Sequence, residues 1–229
     1  MGKSGSNKEK PYYGKLFYFC RGLLRLCHKK ITVLGEKPLQ PAVFIGHHQN
    51  LMGAVRAMMW LNFPLRVWIL SVFCQREECF QQYSDYTFTQ RFGWPKVLAR
   101  AAAGVLARFV PALAKSLRAI PVYRTSARDL QVTLQESVAT LCNKENILIF
   151  PDIDYTNRSD RMGPMYKGFI HIDKYYHAQT GQHVDFVPLR IDLQKRELRI
   201  GAPSRIRAGE NFIQGKDRVY LELQKKMNF

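Results

Sequence analysis

Acidic residues are scarce in this chain. Its 229 residues carry 18 Asp and Glu against 35 Lys and Arg, a formal net charge of +17. A field of that size implies an anionic partner: a membrane surface, a phosphate-bearing substrate or nucleic acid. Cysteine is sparse as well. Cys20, Cys27, Cys74, Cys79 and Cys142 form an odd set without a framework spacing, which excludes a fully paired disulfide scaffold. Five reduced thiols in a cytoplasmic protein are expected. Cys74 and Cys79 have no second pair that would complete a zinc site. Long apolar runs are missing too. None approaches the ~20 uninterrupted residues that span a bilayer. The apolar stretch near the start is broken by Lys15, Arg21 and Arg25, too often for a signal-peptide core.

What is present suits a folded domain. Hydrophobic residues make up 46% and aromatics 12%, which excludes wholesale disorder. The expected organisation is a polar tail over 1–10 and a single domain over 11–229, in which 11–30 is a helix at a membrane surface. Met1-Gly2-Lys3-Ser4-Gly5-Ser6 matches the myristoylation pattern, but a match so short is read as chance. Gly2-Lys3-Ser4 lacks the upstream glycine and strand of a phosphate-binding loop.

Strand and helix signals alternate along the chain. Short apolar runs at 31–34, 42–45, 66–73, 120–123, 147–150, 185–191 and 198–200 read as strands. Helical patterns cover 12–28, 51–61, 77–92, 96–117, 129–142, 165–177 and 217–227, with Pro111 bending or ending the fourth. Such alternation predicts an α/β fold with a largely parallel sheet flanked by helices. The stretches 12–28 and 96–117 mix apolar and basic residues and are both candidates for contact with a bilayer.

The richest segment is Ala42-Val43-Phe44-Ile45-Gly46-His47-His48-Gln49-Asn50-Leu51-Met52-Gly53. A strand-length apolar run meets a glycine, two histidines and two amides, and then a helical pattern begins. That places His48 in a strand-to-helix turn, where a neutral imidazole can take a proton from a hydroxyl. Two later blocks follow it: Arg118-Ala119-Ile120-Pro121-Val122-Tyr123-Arg124 and Ile147-Leu148-Ile149-Phe150-Pro151-Asp152-Ile153-Asp154. Lys167-Gly168-Phe169 and Phe186-Val187-Pro188-Leu189 come after these.

In that order and rough spacing, from about Tyr12 to about Ile206, the blocks resemble the glycerolipid acyltransferase superfamily, best known through lysophosphatidic acid acyltransferases. The resemblance implies a glycerolipid-acyltransferase-like α/β fold with an N-terminal amphipathic helix. It also implies transfer of a fatty acyl group to a hydroxyl of a lysophospholipid or related polar lipid. Coenzyme A or acyl carrier protein would carry the acyl group as donor substrate, with no cofactor and no metal. His48 aligns with the family base and Arg124 with the arginine that holds the acceptor phosphate. Asp152 and Asp154 fall in the acidic block. His47, Gln49 and Asn50 are candidate substrate-binding or orienting groups.

The pattern departs from the family at His47, where the family has Asn, and at Gly53, where it has the Asp that orients the histidine. Asp152-Ile153-Asp154 stands in place of Glu-Gly-Thr. Three outcomes follow from the glycine: another acid substitutes, a backbone carbonyl or His47 fixes the tautomer, or the protein binds anionic lipid without turnover. Nucleic acid is not an expected partner, because no recognised motif accompanies the charge. The expected location is the cytoplasmic face of a membrane, held peripherally.

Overall fold

The computed structural model describes residues 11–124 and 126–228. The 1–10 tail and its myristoylation match lie outside the described residues. Seven strands form one sheet, in the order β1-β7-β6-β2-β5-β3-β4. They are β1 (Thr32–Leu34), β2 (Ala42–Gly46), β3 (Leu65–Leu70), β4 (Ile120–Val122), β5 (Asn146–Ile149), β6 (Asp185–Asp192) and β7 (Glu197–Ile200). The five strands β6, β2, β5, β3 and β4 run parallel. β7 pairs antiparallel with β6 and parallel with β1, so that edge runs the other way. The chain is therefore α/β with a mostly parallel sheet.

The central strands have no polar face because both faces are covered. On β2, Val43 and Ile45 join Ile147, Ile149 and Phe186 on one side of the sheet. Ala42 and Phe44 join Leu65, Leu148, Val187 and Leu189 on the other. Helices α5 (Ala127–Cys142), α6 (His171–Thr180) and α7 (Phe212–Asn228) supply Leu134, Val138, Ile172, Val219 and Leu223 to the first layer. The second layer takes Ala57 from α2 (Met52–Trp60). Ser126 starts α5 as its cap, its Oγ accepting the Asp129 N–H at 3.1 Å.

Between β3 and β4 the chain leaves the sheet. Residues 71–73, expected as strand, form a 3-10 turn, Ser71–Phe73, instead. Helix α3 (Arg76–Gln81) follows and passes into a π-helix, Gln82–Arg91. Thr87 and Thr89 bond their hydroxyls to the carbonyls of Gln82 and Ser84, five residues back, which suits the wider turn. Helix α4 (Lys96–Ser116) then packs against both α3 and the π-helix. Pro111 lies inside it and does not end it. Its far end is anchored to the helix α1 (Lys15–Cys27): Gly14 N donates to Ser116 O at 2.8 Å and Phe17 N to Ser116 Oγ at 2.9 Å. This hairpin has its own small core of Phe88, Ala99 and Ala103, with Phe80 and Tyr83 against them.

Phe44 has no exposed surface and its ring lies 5.2 Å from that of Phe63. Phe44→Ala should cost about 3–5 kcal/mol. The measurement is a urea titration, in which the midpoint falls and the slope holds. An unchanged midpoint would contradict this packing.

Candidate active site

β2 and β5 are parallel neighbours, so their carboxyl ends reach the same rim, where open α/β sheets bind ligands. β2 ends at Gly46, where a Cβ would sit 2.5 Å from the Phe150 ring. His47 and Asp152 come next and are both buried, at 4% and 6% exposure. The Asp152 carboxylate contacts the His47 ring at Nδ1 through one oxygen. Its other oxygen accepts the His48 backbone N–H at 3.0 Å. The second ring nitrogen of His47 faces the Ser159 carbonyl at 3.1 Å. Both nitrogens of His47 are thus engaged by the protein, and neither is open to a substrate.

The next three residues turn left-handed. Gln49, Asn50 and Leu51 have φ of 47°, 50° and 77°, and none is glycine. Each such residue costs of order 1–2 kcal/mol, so the surroundings must hold the turn. Asn50 N donates to Tyr155 O at 3.1 Å, Met52 N to Gln49 O at 3.2 Å and Gly53 N to His48 O at 3.0 Å. Gln49 is 2% exposed, and its amide N–H groups reach Ile191 O at 3.1 Å and Asp160 Oδ1 at 3.3 Å. Gln49 therefore holds the turn from beneath. Asn50 is half-buried.

The turn swings the His48 ring outward. It is half-buried between the rings of Phe150 and Tyr155, whose centroids lie 6.0 and 6.1 Å away. Burial lowers its pKa from the ordinary 6.5, against a smaller opposing effect of the Tyr155 carbonyl and Asp152. The neutral ring is the form that can act as a base. Its Nδ1 has two neighbours of opposite character. Tyr155 O, 3.2 Å away, needs a proton on Nδ1. Leu51 N–H, 2.9 Å away, needs the lone pair there. The first tautomer leaves Nε2 with its lone pair, as a base; the second leaves Nε2 as a donor.

The two acidic candidates behave differently. Asp152 reaches His48 only through the backbone N–H and spends its other oxygen on His47. Asp154 is exposed and folds its own loop, accepting Thr156 N at 3.0 Å and Thr156 Oγ1 at 2.6 Å. Those bonds lower its pKa. Neither carboxylate contacts the His48 ring. Arg124 follows β4 at the same rim and is exposed; its guanidinium lies 4.9 Å from the centroid of the Tyr166 ring. Tyr166 is tied to the strand-end segment through its N–H to Pro151 O at 2.8 Å. β5 and β3 separate β4 from β2, which puts the two strand ends about 14 Å apart. Among the described residues, no group of three or more His, Cys, Asp or Glu is arranged to hold a metal ion.

Gly53 cannot be exchanged for the carboxylate that the acyltransferase pattern puts there. A Cβ at Gly53 would lie 2.0 Å from the His47 carbonyl oxygen. The groups that contact the His48 ring instead, Tyr155 O and Leu51 N–H, belong to the backbone, and residue type gives no sign of them. No protein-family model, no curated protein and no solved structure matches this chain.

Gly53→Ala and Gly53→Asp should both destabilise the protein, by about 1–3 kcal/mol from overpacking alone. Thermal unfolding tests this. A Gly53→Asp variant as stable as wild type would mean that the turn relaxes to accept the carboxylate.

Proposed function

We propose that this chain is an acyltransferase that moves a fatty acyl group from coenzyme A or acyl carrier protein to a hydroxyl of a lysophospholipid or related polar lipid. His48 is its general base. The observation that carries this reading is the His48 ring itself: shifted toward neutrality, set at the carboxyl edge of a parallel sheet, and faced at Nδ1 by a carbonyl. With Nδ1–H donated to Tyr155 O, Nε2 takes the proton of the acceptor hydroxyl. The hydroxyl oxygen bonds to the thioester carbonyl carbon, the C–S bond breaks, and His48 returns the proton to the departing sulfur. No covalent enzyme intermediate forms. Arg124 holds the acceptor phosphate, a task suited to a guanidinium. The protein works at an anionic membrane surface, on its cytoplasmic side, without a metal or cofactor.

One observation favours a second reading. The Leu51 N–H is the closer of the two groups at Nδ1, and it selects the tautomer that cannot act as a base through Nε2. A chain fixed in that tautomer binds anionic lipid and turns nothing over.

Incubation with labelled acyl-coenzyme A, acyl carrier protein thioesters and a panel of lysolipids separates the two. Product from wild type, lost in His48→Ala with far-UV circular dichroism unchanged, is the expected outcome. No product with any pair sinks the enzyme reading and leaves lipid binding. The acidic limb of kcat/KM should lie below pH 6.5, because the lowered pKa keeps His48 unprotonated at more acidic pH. A limb above 6.5 would assign the titration to another group.

Arg124→Ala should raise the acceptor KM about tenfold or more, through loss of a charge-assisted contact of about 1.5–3 kcal/mol. A raised donor KM with unchanged acceptor KM would reassign Arg124.

A further inference from the structure

Two helices present apolar faces that remain exposed among the described residues. On α4, Ala99, Ala103, Ala107 and Ala114 are buried, while the opposite face carries Leu98 at 60%, Val105 at 66% and Phe109 at 42% exposure. Ala101 and Ala112 complete that stripe at spacings of three and four. α4 is 21 residues long and apolar enough by length and composition to cross a membrane, and only 22% of its apolar window is buried. α1, tied to the end of α4 through Ser116, exposes Phe19 at 70%, Leu23 at 54% and Leu26 at 86%. At the start of α4, Phe92 and Trp94 are exposed, a placement suited to the level of lipid headgroups.

Charge selects the occupant. Neither helix contains an Asp or Glu. On α4, Lys96, Arg100, Arg108 and Lys115 are exposed, and Arg108 and Lys115 flank the apolar stripe. α1 contributes less charge than its sequence suggests. Arg21 donates to the carbonyls of Met59 and Leu61 at 2.9 and 2.7 Å, and Arg25 to Met59 O at 2.9 Å. Both arginines are turned toward the end of α2, which leaves the outward face of α1 mainly apolar. Arginines along the length of α4 make crossing unfavourable, whereas an in-plane helix lets long basic side chains reach the phosphates.

We propose that the α4 face, continued by α1, lies in the plane of one leaflet of an anionic phospholipid bilayer, and that α4 rather than the N-terminal segment makes the principal contact. The inference does not depend on turnover at His48: a His48→Ala variant should bind membranes as wild type does.

The test is flotation with vesicles of equal parts phosphatidylglycerol and phosphatidylcholine. Wild type should float, and less so in high salt, which screens the basic residues. Val105→Glu combined with Phe109→Glu should lower vesicle partition about tenfold or more. Val132→Glu, at an exposed position on α5, should float unchanged. Both positions on α4 are exposed, so the double variant should keep its thermal midpoint. Lipids brominated near the headgroup should quench fluorescence more strongly than lipids brominated at the chain end, and Trp94→Phe should remove that quenching. A double variant that floats like wild type would overturn the assignment to α4. Stronger quenching from the bilayer centre would overturn the in-plane arrangement. A lipid-independent dimer that the same double variant dissociates would show that a second copy covers the face, and would overturn the lipid assignment.

Discussion

The candidate site depends on one buried carboxylate. Asp152 stands just past β5 and joins two consecutive residues just past β2: the ring of His47 and the backbone N–H of His48. A carboxylate at 6% exposure is costly unless its oxygens are occupied, and both are. The same contact fixes where the chain leaves the sheet. With His47 held inward, the following residues must reverse direction within a few positions, and the left-handed turn at 49–51 is how they do so. His47 is thus an internal strut, and its neighbour faces outward as a consequence.

That turn is strained, and its strain is offset by hydrogen bonds within the turn, by Gln49 to Ile191 O on β6, and by one loop above all. Tyr155 O accepts the Asn50 N–H and also faces His48 Nδ1. Ser159 O meets His47 and Asp160 meets Gln49. The 151–166 loop therefore both builds the turn and sets the chemistry of the histidine it presents. A carbonyl can do part of what a carboxylate does for such a histidine: it fixes a tautomer and a ring orientation. It cannot stabilise the imidazolium with a full negative charge. The Leu51 N–H, brought to the same nitrogen by the left-handed Gln49 and Asn50, opposes it. The balance between these two backbone groups decides whether Nε2 is a base or a donor.

The fold was largely legible because alternation of short apolar runs with helical periodicity is a strong signal, and every strand expected from it is present. Strand direction at the β1-β7 edge left no trace in the pattern. Residues 71–73 were apolar enough to read as strand, yet they turn into the hairpin. Pro111 signalled a bend or an end to the helix, and α4 continues past it to Ser116. Within the site, the motif placed His48, Arg124 and Asp152 beyond strands that share one rim. It could not distinguish which histidine the carboxylate would hold, since two adjacent histidines look alike until the backbone direction is known. Nor could it reveal Tyr155 O or Leu51 N–H, because every residue at those positions has a carbonyl and nearly every one an N–H. The glycine at 53 was visible as a missing acid; its reason, the His47 carbonyl within 2.0 Å of any Cβ, was not.

The hairpin between β3 and β4 links the site to the rest of the surface. Its helices pack chiefly on one another and on α1, so the sheet does not dictate what they show outward. Val105 and Phe109 are exposed, and yet those positions are apolar. α1 connects this surface to the site. Its arginines cap the carbonyl end of α2, a favourable place for cations. α2 begins at the left-handed turn and has nine residues, hence a length of about 14 Å. The α1 arginines thus stand about one such helix length from the turn that carries His48. In the proposed in-plane arrangement, α2 is therefore the element that joins the lipid-facing helices to the turn carrying His48.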